Sequence, residues 1–401
     1  MKYVFMISMV VSVSVLPLAT ALAVSPSQEL IQEAANSVIC VFKDNVQASQ
    51  VSGLAQGLAQ KHGGKVRHNY TTVVKGFSAT MSAVAADKMV ASNPNIAYCE
   101  PNGIASGDAF PGGAAKGGGG GNSSGPQSPQ ITPQGITMVG GPVNVSGMGL
   151  TAWIIDSGID LNNADLNVDV GRGANFVSIG QWRIDDGNGH GTHVAGTLAA
   201  IDNNIDVVGV AAGATVVPVR VLHNNNSGTY ADILAGVDYV ASRAQPGDVA
   251  NMSIWGPGHS QSLHQGVMNL ANIIPFITIA GNNGEDINQA PYEPAHVEHP
   301  NVYTVSAVDF NGNFTNFSNF GYSNSTHCNA NNSFPCGAVD IAGPGQGIIS
   351  LKRGGGTVSF FGTSMAAPHV AGVILLRGGF PTTQGTANND PDGHPDPIVK
   401  Y

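Results

Sequence analysis

The sequence predicts an α/β fold in one large domain, preceded by a smaller α+β domain. Three observations carry this. The chain has 401 residues, room for one large and one small domain at roughly 100–200 residues each. Only 10% of its residues are charged and 53 are glycine, against about 25% charged in average usage, which favours a compact, loop-rich globule over disorder or coiled coil. Short apolar runs alternate with two helical stretches before residue 101, whereas a later run such as 151–155 reads as a fully buried strand ending at a Gly-containing turn.

Taken in order, Lys2 precedes an apolar run at 4–18 that ends in Ala21-Leu22-Ala23, the pattern of an export signal cleaved after Ala23. That run is shorter than the roughly 20 residues a membrane span needs, and no later run is longer, so no membrane association is expected after its removal. Residues 38–42 read as a strand, 46–61 as an amphipathic helix, 66–70 and 77–81 as strands, 83–91 as a helix and 96–98 as a strand. The order βαββαβ is the ferredoxin-like plan, in which the first and last strands are neighbours. Four cysteines in an exported chain favour two disulfides, and their positions suggest Cys40 with Cys99 and Cys328 with Cys336. No CxxC spacing exists, so thiolate metal binding is the weaker reading.

Residues 112–129 are dominated by Gly, Ser and Pro, a composition that buries little and leaves a protease-accessible linker. From residue 128 onward there are 8 Lys and Arg against 20 Asp and Glu. With no basic stripe to neutralise phosphates, nucleic acid is excluded as a partner.

Three distant segments each carry one residue of the kind needed for acyl transfer through a serine. Residues 151–155 are an apolar run followed by Asp156, Ser157 and Gly158, which puts the carboxylate at the C-terminal end of a strand, where open α/β sheets bind ligands. Alone, a capping or turn Asp is the better explanation of such a strand end. Gly187-Asn188-Gly189-His190-Gly191-Thr192-His193 precedes a helical stretch, placing His190 at a helix start. A zinc pair with His193 is disfavoured by the i, i+3 spacing and the missing HExxH acid. In Gly362-Thr363-Ser364-Met365-Ala366-Ala367-Pro368, Ser364 opens a helix of small residues, with Pro368 expected within its first turn.

Together these segments resemble the signatures of the subtilisin family, in the family's order Asp, His, Ser. The α/β-hydrolase alternative fails because Gly362-Thr363-Ser364-Met365-Ala366 breaks GxSxG at its last position. Residues 41–44, 61–64, 75–79 and 97–101 are likewise similar to that family's inhibitor propeptide. The resemblance implies a subtilisin-like three-layer sandwich with a mostly parallel sheet behind a ferredoxin-like α+β propeptide. The domains would be 1–23 signal, 24–105 propeptide, 106–127 linker with the maturation site, 128–377 peptidase and 378–401 a short polar tail.

The resemblance further implies Asp156, His190 and Ser364 as a catalytic triad, with Asn282 as oxyanion donor and no cofactor in catalysis. Asn226-Ser227-Gly228 with Thr229-Tyr230 would form one edge of a substrate cleft and Met252-Ser253-Ile254-Trp255-Gly256 the other. Tyr230, Ile233 and Ile254 would line an apolar pocket for a residue upstream of the cut, with Gly281 also in the substrate-binding set. The family usually has Gly where Trp255 stands, and specificity is expected to be broad or hydrophobic. A structural calcium would be held by the side chains of Gln130, Asp165 and Asn203 and the carbonyls of Ile201, Ile205 and Val207. The expected protein is a secreted, extracellular monomer that cuts polypeptide substrates, with its own propeptide as inhibitor and folding aid. A catalytically silent binding protein is the rival reading, disfavoured because every catalytic position is filled.

Overall fold

The computed structural model describes residues 26–107, 110–111, 128–177, 183–322 and 337–401. The export signal, most of the 106–127 linker and the Cys328/Cys336 pair lie outside them. No helix among the described residues is long and apolar enough to cross a membrane.

The N-terminal unit follows the βαββαβ order, with a sheet in which Lys65–Tyr70, Gly76–Thr80, Ser37–Phe42 and Ile96–Pro101 lie side by side. Its helices are Val51–Lys61, entered through a 3-10 turn at Ala48–Gln50, and Ala83–Ser92, whose N-cap Ser82 accepts the Ala85 N–H at 3.2 Å. A further helix, Gln28–Ala35, capped by Ser27, precedes them and was not foreseen. Cys40 and Cys99 stand directly opposite on the antiparallel outer pair and are joined by a disulfide. Strand alternation then gives this thin sheet two jobs. Val38, Cys40 and Phe42 face the unit's own core with Val51, Phe77 and Met89. Ile39, with Tyr70 and Val73, joins a second core shared with Leu234, Val237, Leu263 and Val267 of the large domain.

The large domain is built on a ten-stranded sheet. Its central strands run Thr215–Arg220, Thr151–Asp156, Val249–Asn251, Phe276–Ile279, Val302–Val308 and Ile341–Pro344, all parallel. Parallel strands buried on both faces read as near-continuous apolar runs. Accordingly Ile154 belongs to one cluster, with the helices His190–Ala199 and Thr363–Arg377, and Trp153 and Ile155 to the other, with Tyr230–Ala241 and Gln261–Ala271. The result is three layers, and the C-terminal ends of the strands share one rim.

Residues 378–401 are not the short polar tail expected. Pro397–Lys400 adds in parallel to Ile341–Pro344 through Ile398 opposite Ala342, and Thr382–Thr386 pairs antiparallel with it. Ile398 and Val399 are buried and cover the sheet's edge. Two apolar residues among prolines and aspartates give too short a pattern to read as a strand, and the sheet edge supplies what local sequence does not.

Candidate active site

Asp156 is the last residue of its strand, and His190 the first of its helix. His190 Nδ1 lies 2.8 Å from Asp156 Oδ1 and 2.9 Å from Oδ2, with both side chains buried. A carboxylate can only accept, so the proton on Nδ1 belongs to this contact and Nε2 is left as the basic nitrogen. The turn that delivers His190 is organised by Asp186, which sequence reading missed. Its buried carboxylate accepts the N–H groups of Asn188 and Gly189 at 2.9 and 2.8 Å, Thr192 N–H at 2.9 Å and Ser157 Oγ at 2.8 Å. Burial raises the Asp186 carboxyl, against the pull of these donors. The signal available was an acid four residues ahead of the histidine. His193 points elsewhere: Nε2 meets the Ile348 carbonyl at 3.0 Å, and burial drives the imidazole down to about 3.

Ser364 is the second residue of Thr363–Arg377, at the helix start, where backbone N–H groups collect partial positive charge. Pro368 is the sixth residue of that helix, not part of its first turn as expected. Lacking an N–H, it cannot serve the carbonyl four residues back, which is that of Ser364. Ser253 Oγ donates to that carbonyl instead, at 3.0 Å, while Ser364 Oγ donates to the Ser253 carbonyl at 3.4 Å. Asn282 follows the strand Phe276–Ile279. Its Oδ1 accepts Thr363 N–H at 2.8 Å and Thr363 Oγ1 at 2.9 Å, which fixes the amide and turns Nδ2 to the opposite side. Thr363, one residue from the predicted serine, is the second positioning residue that sequence reading missed. Gly281, at φ 107°, must be glycine: a Cβ there would lie 2.5 Å from Asn319 Nδ2.

The two predicted cleft edges face one another across a strand of the chain itself. Ile104–Ser106 pairs antiparallel with Ser227–Thr229, placing Ser106 opposite Ser227 and Ala105 opposite Gly228. On its other side Ser106 exchanges both backbone bonds with Trp255, at 2.9 and 3.0 Å. Gly107 N–H reaches the Asn226 carbonyl at 3.0 Å, and a Cβ on Gly107 would sit 3.0 Å from His190 Cε1. Downstream, Phe110–Pro111 pairs with Phe361 and Phe360, immediately before the serine helix. Tyr230, Ile233 and Ile254 share one buried apolar cluster with Ala105, and the Trp255 ring packs edge-on to Tyr292 at 5.1 Å.

Away from the cleft, Gln130, Asp165 and Asn203 do meet. Asn203 N–H donates to Gln130 Oε1 at 2.6 Å, and Asn203 Nδ2 to Asp165 Oδ1 at 2.7 Å. Val207 N–H reaches Asp165 Oδ2 at 3.3 Å and Ile205 N–H reaches Asn203 Oδ1 at 2.7 Å. Asp165 is buried, and burial pushes its carboxyl up to about 7.

A serine at a helix start, an aspartate-bound imidazole and a fixed amide together can support acyl transfer. Comparison with known proteins agrees with this chemistry. The model of the subtilase family matches residues 147–386. The chain is 35% identical over 333 residues to the subtilisin-like serine protease AsES of Sarocladium strictum, covering 81% of this chain and 76% of that protein. It is 32% identical to subtilisin E of Bacillus subtilis, covering 84% and 78%. Among solved structures, a cold-adapted subtilisin-like serine proteinase superposes with a TM-score of 0.53 at 32% identity, covering 63% of this chain and 88% of that one. With the fold, the residue order and these relatives in agreement, the chain belongs to the subtilase family of subtilisin-like serine peptidases.

Proposed function

We propose that the protein is a secreted endopeptidase made as a self-inhibited precursor, with Ser364 as nucleophile, His190 as general base and Asp156 as its orienting partner. The observation that carries the reading is the Asp156–His190 contact at 2.8 Å, beside a groove already holding a peptide strand. A serine hydroxyl is a poor nucleophile, so His190 takes its proton as the bond to the substrate carbonyl forms, then returns it to the leaving amine. The tetrahedral oxyanion is met by Asn282 Nδ2 and a backbone N–H at the serine helix start. Hydrolysis of casein by the matured enzyme tests this: Ser364→Ala is expected to abolish it, and surviving activity refutes the assignment.

The strand at Ile104–Ser106 supports the inhibitory role of residues 24–105, because a backbone-paired peptide between Ser227–Gly228 and Trp255 is how a substrate would lie. Maturation is proposed at Asp108–Ala109. Gly107 closes the upstream strand against His190 and Phe110 opens the downstream one beside Phe361, and this bond is the middle one between them in sequence. Sequencing the mature N-terminus should read from Ala109; a start within the glycine run would overturn this register. Trp255 and Tyr292 narrow the pocket beside that bond, and the Tyr230, Ile233 and Ile254 cluster favours apolar side chains further upstream. Specificity is therefore broad with an apolar bias.

Calcium is proposed as a structural ion. The donor set fits it: a buried carboxylate, two amide oxygens and the carbonyls of Ile201, Ile205 and Val207 are all hard oxygens, the ligands this ion takes. It would tie residues 130, 165 and 201–207 together and takes no part in bond cleavage.

A further inference from the structure

We propose that His259, His264 and Glu293 bind one zinc ion, at a site separate from the oxygen-only set around Asp165. His259 stands just before Ser260, the N-cap of Gln261–Ala271, and His264 is the fourth residue of that helix. Glu293 belongs to the two-residue strand Tyr292–Glu293, which pairs with Gly256–Pro257 in the cleft wall. Three residues from two distant stretches of chain thus converge, and their donor atoms all lie within 4.8 Å of one another.

The convergence is unusual for a plain ion pair. His259 Nδ1 is 2.5 Å from Glu293 Oε1, and His264 Nδ1 is 3.2 Å from the same oxygen. Both imidazoles thus crowd onto one of the two carboxylate oxygens. Meanwhile Glu293 is fully buried and its Oε2 has no hydrogen-bond partner. The two imidazole side chains are 26% and 15% exposed, which gives an ion a way in. Burial would raise the Glu293 carboxyl, but the two imidazoles outweigh it and hold it low, while Glu293 raises His259.

Two imidazoles and one carboxylate, with a fourth position left to water, are a common zinc set, whereas calcium and magnesium prefer oxygen throughout. At roughly 2.0–2.2 Å from zinc, tetrahedral ligands sit about 3.3–3.5 Å apart. The His264 separation, 3.2 Å, is within about 0.1 Å of this range. His259 must withdraw by roughly 0.8 Å to make the same room, and it can, being the more exposed of the two and following Gly258 at φ 91°. Each Nδ1 gives up its proton to coordinate, with the remaining ring proton on Nε2, so zinc uptake releases protons in acid solution.

The experiment uses the full-length Ser364→Ala precursor, kept whole by that change, stripped of metal and resupplied with excess calcium. Calorimetric titration with zinc chloride is expected to give one ion per chain. Affinity should fall at least about tenfold in His259→Asn and again in His264→Asn, as loss of a ligand or its support typically does. Cobalt in place of zinc should give the intense visible absorption of a tetrahedral site. Both histidine changes sit at partly exposed positions, and melting temperature without metal reports that each variant is folded. No zinc uptake, or uptake unchanged in the double variant, overturns the proposal, as does a weak octahedral cobalt spectrum.

Discussion

Several polar contacts dock the N-terminal unit on the large domain, and the one that tests its proposed inhibitory role is that of Glu100. It lies just past the Cys99 half of the disulfide and reaches the start of the helix Gln261–Ala271. There it accepts Ser260 Oγ at 2.7 Å, Gln261 N–H at 2.9 Å and Ser262 N–H at 3.2 Å, with Ser262 Oγ also donating. A negative charge on orphan helix N–H groups is doubly favoured, by hydrogen bonding and by the helix dipole. Truncating one partner of a buried charged contact costs about 2–5 kcal/mol, and Glu100 is only half-buried. The Gln261 contact is open to solvent, so water replaces part of the loss, and the lower end, about 2–3 kcal/mol, is expected for Glu100→Ala. At 1.4 kcal/mol per decade that is a roughly 30- to 150-fold rise in inhibition constant. Glu100→Gln, which keeps one acceptor oxygen without the charge, should fall between. The assay is inhibition of matured enzyme by the separately produced segment 26–107, with its melting curve measured in the same buffer. An inhibition constant within about threefold of the parent's, with melting unchanged, would refute the helix-cap account.

Other consequences follow from the same coordinates. Asn282→Leu should lower kcat by about 10² to 10³, as loss of the oxyanion donor does in a subtilisin, with little change in KM; a rise in KM with kcat unchanged would count against the oxyanion role. Asp165→Asn should abolish the rise in melting temperature that added calcium gives the parent, and a variant that still responds would remove Asp165 from the calcium set. His369 is buried, which pushes its imidazole down to about 4 from about 6.5. Below 6.5 the unfolded chain takes a proton that the folded one refuses, so this group costs stability as pH falls from 6.5 towards 4. At 1.36 kcal/mol per pH unit, His369→Gln should recover up to about 2 kcal/mol near pH 5 relative to neutral. Denaturant unfolding at both pH values checks it. Asp340, pushed up to about 7 by burial, acts in the opposite sense in parent and variant alike, and so cancels from the difference.

Much of the candidate site was legible because its chemistry sits in short contiguous motifs. Asp156, His190 and Ser364 each lie where a strand or helix begins or ends, and such ends are marked locally by glycine and by the break in apolar pattern. The groups that hold them in place were not legible. Asp186 and Thr363 act through backbone N–H groups brought near only by a closed turn, and Ser253 replaces a hydrogen bond that Pro368, four residues past the serine, cannot make. Asp186 left only the weak signal of an acid four residues ahead of the histidine, Thr363 left none, and Ser253 was legible as a cleft residue but not as the donor to the Ser364 carbonyl.

By itself, then, the sequence determined the α/β class, the βαββαβ unit, the order of Asp156, His190 and Ser364 and the partners Cys40 and Cys99, because each depends on local periodicity or on neighbours within one small plan. Tertiary structure alone decided that Ile398 and Val399 finish the sheet, that residues 104–107 occupy the cleft in one register, and that His259, His264 and Glu293 meet. These are contacts between segments distant in the chain, set by which sheet edge or cavity remains to be filled once the core has packed, and no local pattern encodes them.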